Sequence, residues 1–357
     1  MRALRLTAEE SVVGSLLGTA VGDAIGLPYE GLGRHRARRL LGPPDRHRLL
    51  LGRGMVSDDT EHSCMVASAL ARSGRDPDLF ASAMGWALRG WLLALPAGVG
   101  LATLRASLRL WAGWSPYRSG VRSAGNGPAM RSAVLGAAVR DPDALRRLVE
   151  VSTVITHTDP KALHGALAVA LAARFASGGG TVEAAAYCAE VERWVGDGGA
   201  ELVGLLRSAA ASATAGQSTP DYAASLGLER GVTGYVYHTV PVAIQAWLLR
   251  QHDFRGAVEG IVSCGGDADT TAAIVGGVVG ASVGRAGIPG PWLDGVAEWP
   301  RSTAWMARLG AAAAGAAETG TPLPVPPYAW PAVLPRNLFF LAVVLGHGFR
   351  RALPPYR

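Results

Sequence analysis

Apolar residues recur every three or four positions along most of the chain, which is the spacing of one buried face of an α-helix. Alternating, strand-like patterns are scarce, and residues 232–238 are the best strand candidate. Most apolar runs begin after Asp, Ser or Thr or stop at Gly or Pro; they predict helices over residues 61–73, 78–95, 128–139, 141–155, 160–176, 181–195, 200–213, 239–251 and 254–263. The pattern predicts an all-α fold with many helices around one core.

The first helix has the clearest signal. A capping box, Thr-Ala-Glu-Glu, opens the segment 7–25. One face of this helix carries no side chains, because glycines recur every four residues at Gly14, Gly18 and Gly22. We expect another backbone to approach closely along that face. Pro28 should end the helix and leave Glu30 in the loop that follows.

Two segments depart from the helical pattern. Residues 34–53 hold seven arginines and two histidines around a Gly-Pro-Pro break, which favours a solvated surface loop. The alternative is a rim that faces a phosphate group or a partner. Residues 321–335 carry six prolines and predict an extended linker. The apolar residues 338–345 that follow are too few to span a membrane, and we expect them to dock back on the core.

Composition narrows the class of protein. With 49% hydrophobic and 17% charged residues, the chain of 357 residues is predicted to form a compact globule. The net charge of +6 comes almost wholly from arginine, since Lys161 is the only lysine, but no zinc-finger or RNA-binding motif accompanies it. The three cysteines are far apart, and neither a signal sequence nor a membrane span is evident. We expect a cytoplasmic protein with no nucleic-acid or membrane partner.

The first candidate site is a pair of adjacent carboxylates, Asp58 and Asp59, flanked by Ser57 and Thr60. The cluster directly precedes a predicted helix, where carboxylates and hydroxyls accept hydrogen bonds from free backbone N–H groups. Taken alone, the cluster fits a helix cap.

A second cluster changes this interpretation. Asp267 and Asp269 follow two glycines and open a segment, residues 272–284, that carries no charge. A buried helix that begins with two carboxylates needs positive charge nearby. Carboxylate oxygens on a turning backbone suit Mg²⁺ or Mn²⁺, and bound cations would relieve the repulsion between the two clusters. We therefore predict a metal-dependent hydrolase whose site combines both clusters, with Glu30 as a further candidate carboxylate.

Five motifs together resemble the ADP-ribosylglycohydrolase family, and they follow that family's order. They are GSLLGTAVGDAIGLPYE (14–30), SDDTE (57–61), GNGPAMR (125–131), THTDP (156–160) and GGDADTTAAI (265–274). The resemblance spans roughly residues 10–285. It implies an all-α fold. We expect a single domain over residues 1–357, in which residues 286–357, not covered by these motifs, form a helical, proline-rich extension packed on the core.

The resemblance also implies a cleft with two Mg²⁺ (or Mn²⁺) ions in which ADP-ribose is released from modified protein side chains. The implied metal ligands are Glu30, Ser57, Asp58, Asp59, Asp267, Asp269 and Thr270. The implied contacts to ADP-ribose are Gly125, Asn126, Gly127, His157 and Tyr235. Ser57 stands where the family usually has Thr, and Ala268 stands where a hydroxyl residue is common. Neither change removes a carboxylate.

The mechanism and the substrate leave alternatives open. Asp58 or Asp59 is expected to take the proton of the attacking water, in addition to binding metal. Arginine is the favoured linkage, while serine-linked or free ADP-ribose derivatives are alternatives. The protein could also act in immunity against an ADP-ribosylating toxin, or keep the fold and work only by occluding a partner. A metal phosphohydrolase is a third possibility, but it leaves Asn126 and His157 without a role.

The same motifs have simpler structural interpretations. His157 could only satisfy carbonyl groups at a helix end, and Asn126 could only be a turn residue. Met130 and Arg131 are expected in the core and at the rim, respectively, and His62 as a packed side chain behind the metal cluster.

Overall fold

A computed structural model describes residues 6–353 as a set of packed helices with one pair of two-residue strands. The helices, in chain order, are α1 (Ala8–Gly26), α2 (Arg34–Leu41), α3 (Asp58–Ser73), α4 (Pro77–Leu93), α5 (Leu101–Trp111), α6 (Gly127–Met130), α7 (Ala133–Ala138), α8 (Pro142–Val154), α9 (Pro160–Ala176), α10 (Ala184–Val195), α11 (Ala200–Thr214), α12 (Thr219–Ser225), α13 (Val236–Leu249), α14 (Phe254–Val262), α15 (Ala268–Val283), α16 (Gly290–Gly295), α17 (Thr303–Thr319) and α18 (Val333–Ala352). Strands β1 (Leu32–Gly33) and β2 (Gly265–Gly266) pair antiparallel. The mostly helical fold predicted from the sequence is confirmed.

The glycine face of α1 packs against α15, as expected. Added methyl groups at Gly14, Gly18 and Gly22 would overlap carbonyl oxygens of Gly280, Gly276 and Ala272. The two helices therefore touch backbone to backbone at the centre of the molecule. Because the N-terminus of α15 and the C-terminus of α1 meet at one end of this pair, the loop after α1 lies beside the acidic start of α15.

The capping box at the start of α1 is present: the Glu10 N–H donates to the Thr7 hydroxyl at 3.1 Å, and the Thr7 N–H donates to the Glu10 carboxylate at 2.8 Å. The strand predicted over residues 232–238 is wrong. Only single bridges form there, Val232 with Gly266 and Tyr235 with Gly125, and helix α13 begins at Val236.

The prediction of a continuous loop over residues 34–53 is also wrong at its start. Helix α2 occupies Arg34–Leu41, and Ala37 is its one buried residue. The arginines conceal this helix from hydrophobic periodicity because a helix with one buried position shows almost no apolar face. Residues 43–53 contain only turns, bends and a local bridge between Leu50 and Arg53.

The C-terminal part contains more helix than predicted. The extended linker ends before Pro335, because a 3₁₀ turn (Trp330–Ala332) leads into α18, a helix of 20 residues rather than the short segment 338–345. By length and apolarity alone, two helices in the described range could cross a membrane. One of them includes α1, and 94% of its apolar stretch is buried in the core. The other spans Trp330–Ala352, and only 22% of its apolar stretch is buried.

A buried ionic network joins this C-terminal part to α3. Arg336 donates to both carboxylate oxygens of Glu298, at 2.7 and 2.6 Å, and to the carbonyl oxygen of Val56 at 2.6 Å. Glu61 accepts hydrogen bonds from Arg301 and, at 2.6 Å, from the Trp91 indole. Burial raises the pKa of Glu61, but the two arginines outweigh burial and hold it below its usual value. The network therefore fixes the first turn of α3, in which Asp58 and Asp59 also lie.

Candidate functional site

The N-terminus of α3 is fixed by a carboxylate from α1. Asp23 accepts hydrogen bonds from the backbone N–H of Ser57 at 2.9 Å and from the Thr60 hydroxyl at 2.6 Å. Ser57 caps the helix, and its hydroxyl donates to Asp59 at 3.0 Å. Burial raises the pKa of Asp23 to about 7, although these hydrogen bonds act in the opposite direction. The Asp58–Asp59 pair is thus held on a rigid support.

The second acidic cluster meets the first. The Thr270 hydroxyl, in the first turn of α15, donates to Asp59 at 3.2 Å. Gly265 and Gly266 both have positive φ angles, and this turn aims the N-terminus of α15 at α3. The Glu30 loop lies beside the same turn, because the Gly31 N–H donates to the carbonyl oxygen of Gly266 at 2.7 Å.

Burial and mutual repulsion both disfavour the charged carboxylates of this site. Burial, followed by neighbouring carboxylates, raises the pKa values of Asp58, Asp59 and Asp269 well above their usual range. Although part of the Glu30 side chain is exposed to solvent, the protein around its carboxyl group and then Asp267 raise its pKa, while Arg351 opposes this. A cation bound here would offset these effects, because it favours the charged form of each carboxylate.

Two buried carboxylate oxygens indicate that these residues could bind a metal ion. One oxygen of Asp59 and one of Asp269 are buried, and neither has a hydrogen-bond partner among residues 6–353. Buried oxygens of this kind are costly unless they are paired. No group of three or more His, Cys, Asp and Glu side chains in the described part of the chain has the arrangement of a metal site. The side chains that surround these two oxygens offer hydroxyl and carboxylate oxygens, and Mg²⁺ and Mn²⁺ prefer oxygen ligands.

A glycine-rich turn lies next to the carboxylates. Asn126 is the link, because its amide nitrogen donates to Asp267 at 2.6 Å and to Thr239 at 3.0 Å. The His157 ring lies against both glycines of the turn: an added methyl group would be 3.3 Å from its Nε2 at Gly125 and 3.0 Å from its Cε1 at Gly127. The carboxylates and this turn therefore form one continuous site.

The family model described as ADP-ribosylglycohydrolase matches residues 4–321. The chain belongs to the ADP-ribosylglycohydrolase family. An uncharacterized protein of Archaeoglobus fulgidus is 32% identical over 297 residues, covering 81% of this chain and 92% of its own length. The ADP-ribosyl-[dinitrogen reductase] glycohydrolase of Rhodospirillum rubrum is 28% identical over 297 residues, covering 80% and 90%. A chain from a solved "ADP-ribosylglycohydrolase-related protein complex" aligns with a TM-score of 0.63 and 28% identity, covering 87% of this chain and 99% of that one.

The seven metal-ligand candidates of this ADP-ribosylglycohydrolase fall on three segments: the loop after α1, the start of α3 and the start of α15. Asp59 and Thr270 are in direct contact. Asp58 is half-buried and Glu30 is exposed. Asp267 accepts a hydrogen bond from Asn126 rather than from another candidate metal ligand.

The last substrate-binding candidate, Tyr235, lies beside the glycine-rich turn. Its backbone pairs with Gly125, and its hydroxyl accepts a hydrogen bond from Lys161 at 2.8 Å. The same ammonium group lies 5.5 Å from the centroid of the Tyr235 ring. The tyrosine is therefore held beside the glycine-rich turn by a cation that also pairs with Glu201.

The glycohydrolase positions His157 through a buried arginine that sequence reasoning expected at the rim. Arg131 is fully buried, so that expectation is wrong. It donates to the Thr156 hydroxyl at 2.8 Å and approaches Nδ1 of His62 at 3.0 Å. Thr156 in turn lies 2.8 Å from Nδ1 of His157. The Thr156 oxygen accepts from Arg131, and its own hydrogen can be donated to Nδ1 of His157. In that tautomer the imidazole proton lies on Nε2, beside the glycines.

We expect Thr156→Val to raise the KM for an ADP-ribosylated substrate by up to about tenfold, the value of one lost hydrogen bond. Burial, and secondarily Arg131, lowers the pKa of His157 to about 3, so the ring stays neutral and the lost bond changes its orientation rather than its charge. Steady-state kinetics measures the effect. Thr153→Val is the matched control, because its buried hydroxyl bonds only the Val149 carbonyl of its own helix. An equal KM in the two variants would contradict this role.

Two residues of the site were missed by sequence reasoning. Asp23 lies inside a family motif, and the available signal was a carboxylate within an otherwise apolar helix. Arg131 lies at the end of another motif. Their partners are far away in sequence, so neither role follows from local pattern.

Proposed function

We propose that this glycohydrolase is a metal-dependent enzyme that removes ADP-ribose from modified protein side chains, arginine foremost. One observation carries the proposal: the Asn126 amide bonds Asp267, so the carboxylates and the turn of Gly125, Gly127 and His157 belong to one site. A phosphohydrolase would need the carboxylates but not this turn.

The carboxylates and hydroxyls of α3, α15 and the Glu30 loop would hold two Mg²⁺ (or Mn²⁺) ions. Bound cations would supply charge that orients the ribose hydroxyl groups and lowers the pKa of water. The backbone of Gly125 and Gly127 can approach phosphate groups without steric conflict, and Nε2–H of His157 can donate to an anionic oxygen.

Asp58 is the better candidate for the base that takes the proton from water. Asp59 is buried, and one of its oxygens accepts from both Ser57 and Thr270. Asp58 is half-buried and therefore accessible to water.

Arginine is the proposed linkage because the arginine-rich composition of the chain favours that branch of the family. The Rhodospirillum rubrum relative carries a name for a glycohydrolase acting on ADP-ribosyl-dinitrogen reductase, which supports a modified protein as the substrate. A role in immunity against an ADP-ribosylating toxin stays a prediction, as does the cytoplasmic location.

The deciding experiment is incubation of the full chain with peptides carrying ADP-ribosyl-arginine or ADP-ribosyl-serine, in Mg²⁺, in Mn²⁺ and in EDTA. We expect metal-dependent release of ADP-ribose from the arginine peptide, measured by liquid chromatography and mass spectrometry. Release from the serine peptide alone would correct the linkage. Release that persists in EDTA would contradict metal dependence, and no release from either peptide would contradict the activity.

A protein that only occludes a partner would behave differently. Asp58→Ala should abolish release of ADP-ribose while leaving the surface unchanged. Retention of the biological effect by this variant would favour occlusion over catalysis.

A further inference from the structure

Helix α18 exposes an apolar face that nothing in residues 6–353 covers. Phe349 is 76% exposed, Leu345 56% and Leu338 51%. Phe339 and Leu341 continue the same face, at 45% and 40%. The helix lies beyond the family match, which ends at residue 321. An exposed apolar surface of this kind marks an interaction site.

The opposite side of α18 is fixed to the protein. Arg336, Asn337 and Phe340 are buried, and Asn337 donates to the carbonyl oxygen of Ala94 at 2.8 Å. Nearer the end of the helix, His347 bonds the carbonyl oxygen of Pro28 at 2.9 Å. Because α18 is held along its length, it cannot leave the protein to cross a bilayer without breaking these buried contacts. Its apolar face can lie flat on a surface.

Positive charge surrounds the C-terminal end of this face. Arg350 and Arg351 lie in the last turn of α18, and the helix contains no Asp or Glu. Helix α2 lies alongside, because Arg36 donates to the carbonyl oxygen of Arg351 at 3.2 Å. Arg38 and Arg39 on α2 are exposed. Two acidic residues lie nearby: Glu30, whose backbone carbonyl oxygen accepts from Arg351, and Asp221, which pairs with Arg34 at the start of α2.

We propose that α18 and the basic end of α2 bind an anionic lipid surface, with the leucines and phenylalanines of α18 in the interface and the arginines among the headgroups. Leu and Phe on one face with Arg beside them is the pattern of a helix lying in a membrane interface. A second copy of this chain fits less well, because α18 contains no Asp or Glu that could pair with the arginines of a facing copy. The sequence predicts no membrane partner, because residues 338–345 alone are too few to span a bilayer.

Co-sedimentation of the full chain with vesicles tests the proposal without reference to catalysis. We expect binding to phosphatidylcholine vesicles that contain phosphatidylglycerol, weak binding to pure phosphatidylcholine, and weaker binding as salt is added. The triple variant Phe339→Ser, Leu345→Ser, Phe349→Ser should lower the partition coefficient by roughly 100-fold. The double variant Arg38→Glu, Arg39→Glu should lower it by roughly tenfold or more.

Matched controls lie on other helices. The triple variant Leu79→Ser, Leu101→Ser, Leu108→Ser removes similarly exposed leucines from α4 and α5, and Arg308→Glu reverses an exposed charge on α17. Both should bind like the unmodified chain. Absence of binding to anionic vesicles overturns the proposal, as does equal binding to neutral vesicles. Light scattering supplies another outcome: a dimer that the α18 triple variant converts to a monomer, with no vesicle binding, would identify a second copy as the occupant and also overturn it.

Discussion

Asp58→Asn is expected to lower the turnover of an ADP-ribosyl-arginine substrate by roughly 10²–10⁴-fold, the usual contribution of a general base. Asn cannot accept the proton of water, yet its shape keeps the start of α3 intact. Asp59→Asn should also lose activity, for another reason. Asp59 offers a buried oxygen without a hydrogen-bond partner in the described residues, and we expect that oxygen to bind metal.

Thermal unfolding separates the two roles. In EDTA, both variants should be at least as stable as the unmodified chain, because each removes one of several mutually repelling carboxylates. With Mg²⁺ added, Asp59→Asn should lose most of the metal-induced rise in Tm, while Asp58→Asn should keep part of it. Asp78→Asn is the surface control, since Asp78 is exposed in the first turn of α4. Unchanged turnover in both variants would exclude this pair from the chemistry.

Hydrophobic periodicity predicted most of the longer core helices, but α5 and α17 were not predicted although each buries one face. The helix predicted over residues 160–176 is α9 (Pro160–Ala176), bounded by its Asp159 cap. Periodicity gives a poor prediction for a helix whose buried residues are not its apolar residues. Helix α2 is polar on nearly every side, and α18 is apolar on its exposed side, so its length was underestimated.

The helix predicted over residues 128–139 is in fact two short helices, α6 and α7, with Arg131 and Ser132 between them. Arg131 extends into the core to reach Ser152 and Thr156, where its guanidinium finds hydrogen-bond acceptors. The apolar pattern does not indicate this break in the helix, because the position of a buried arginine is determined by its hydrogen-bond partners elsewhere in the chain.

For the site, the motifs identified which residues would act but not how they are held. The contact between Thr270 and Asp59 depends on the packing of α1 against α15, which the glycine spacing only suggested. The role of Asp23 could not be predicted from the sequence, since its hydrogen-bond partners are backbone and side-chain groups at the start of another helix. Whether the seven candidate ligands bind metal stays a prediction that the Asp59→Asn experiment tests.

The C-terminal helix has a second consequence, for stability. We expect Arg336→Met to lower the free energy of unfolding by about 3–5 kcal/mol, the cost of leaving buried charges unpaired. The guanidinium is 1% exposed and pairs with Glu298, while Glu61 lies 3.5 Å away. Met fills a similar volume but offers no donor, so Glu298 loses two hydrogen bonds and the Val56 carbonyl loses its arginine donor.

Urea unfolding of this variant, with and without a second substitution, measures the loss in the free energy of unfolding. The double variant Arg336→Met, Glu298→Gln should recover part of the loss, because the amide leaves no unpaired charge facing the methionine. Arg308→Met, on the exposed side of α17, should change stability by less than about 0.5 kcal/mol. Since Val56 directly precedes Ser57, the Arg336→Met variant should also loosen the start of α3 and weaken metal-induced stabilisation. A loss no larger than that of Arg308→Met would mean that the network does not support the site, and that α18 is joined to the fold by its apolar contacts alone.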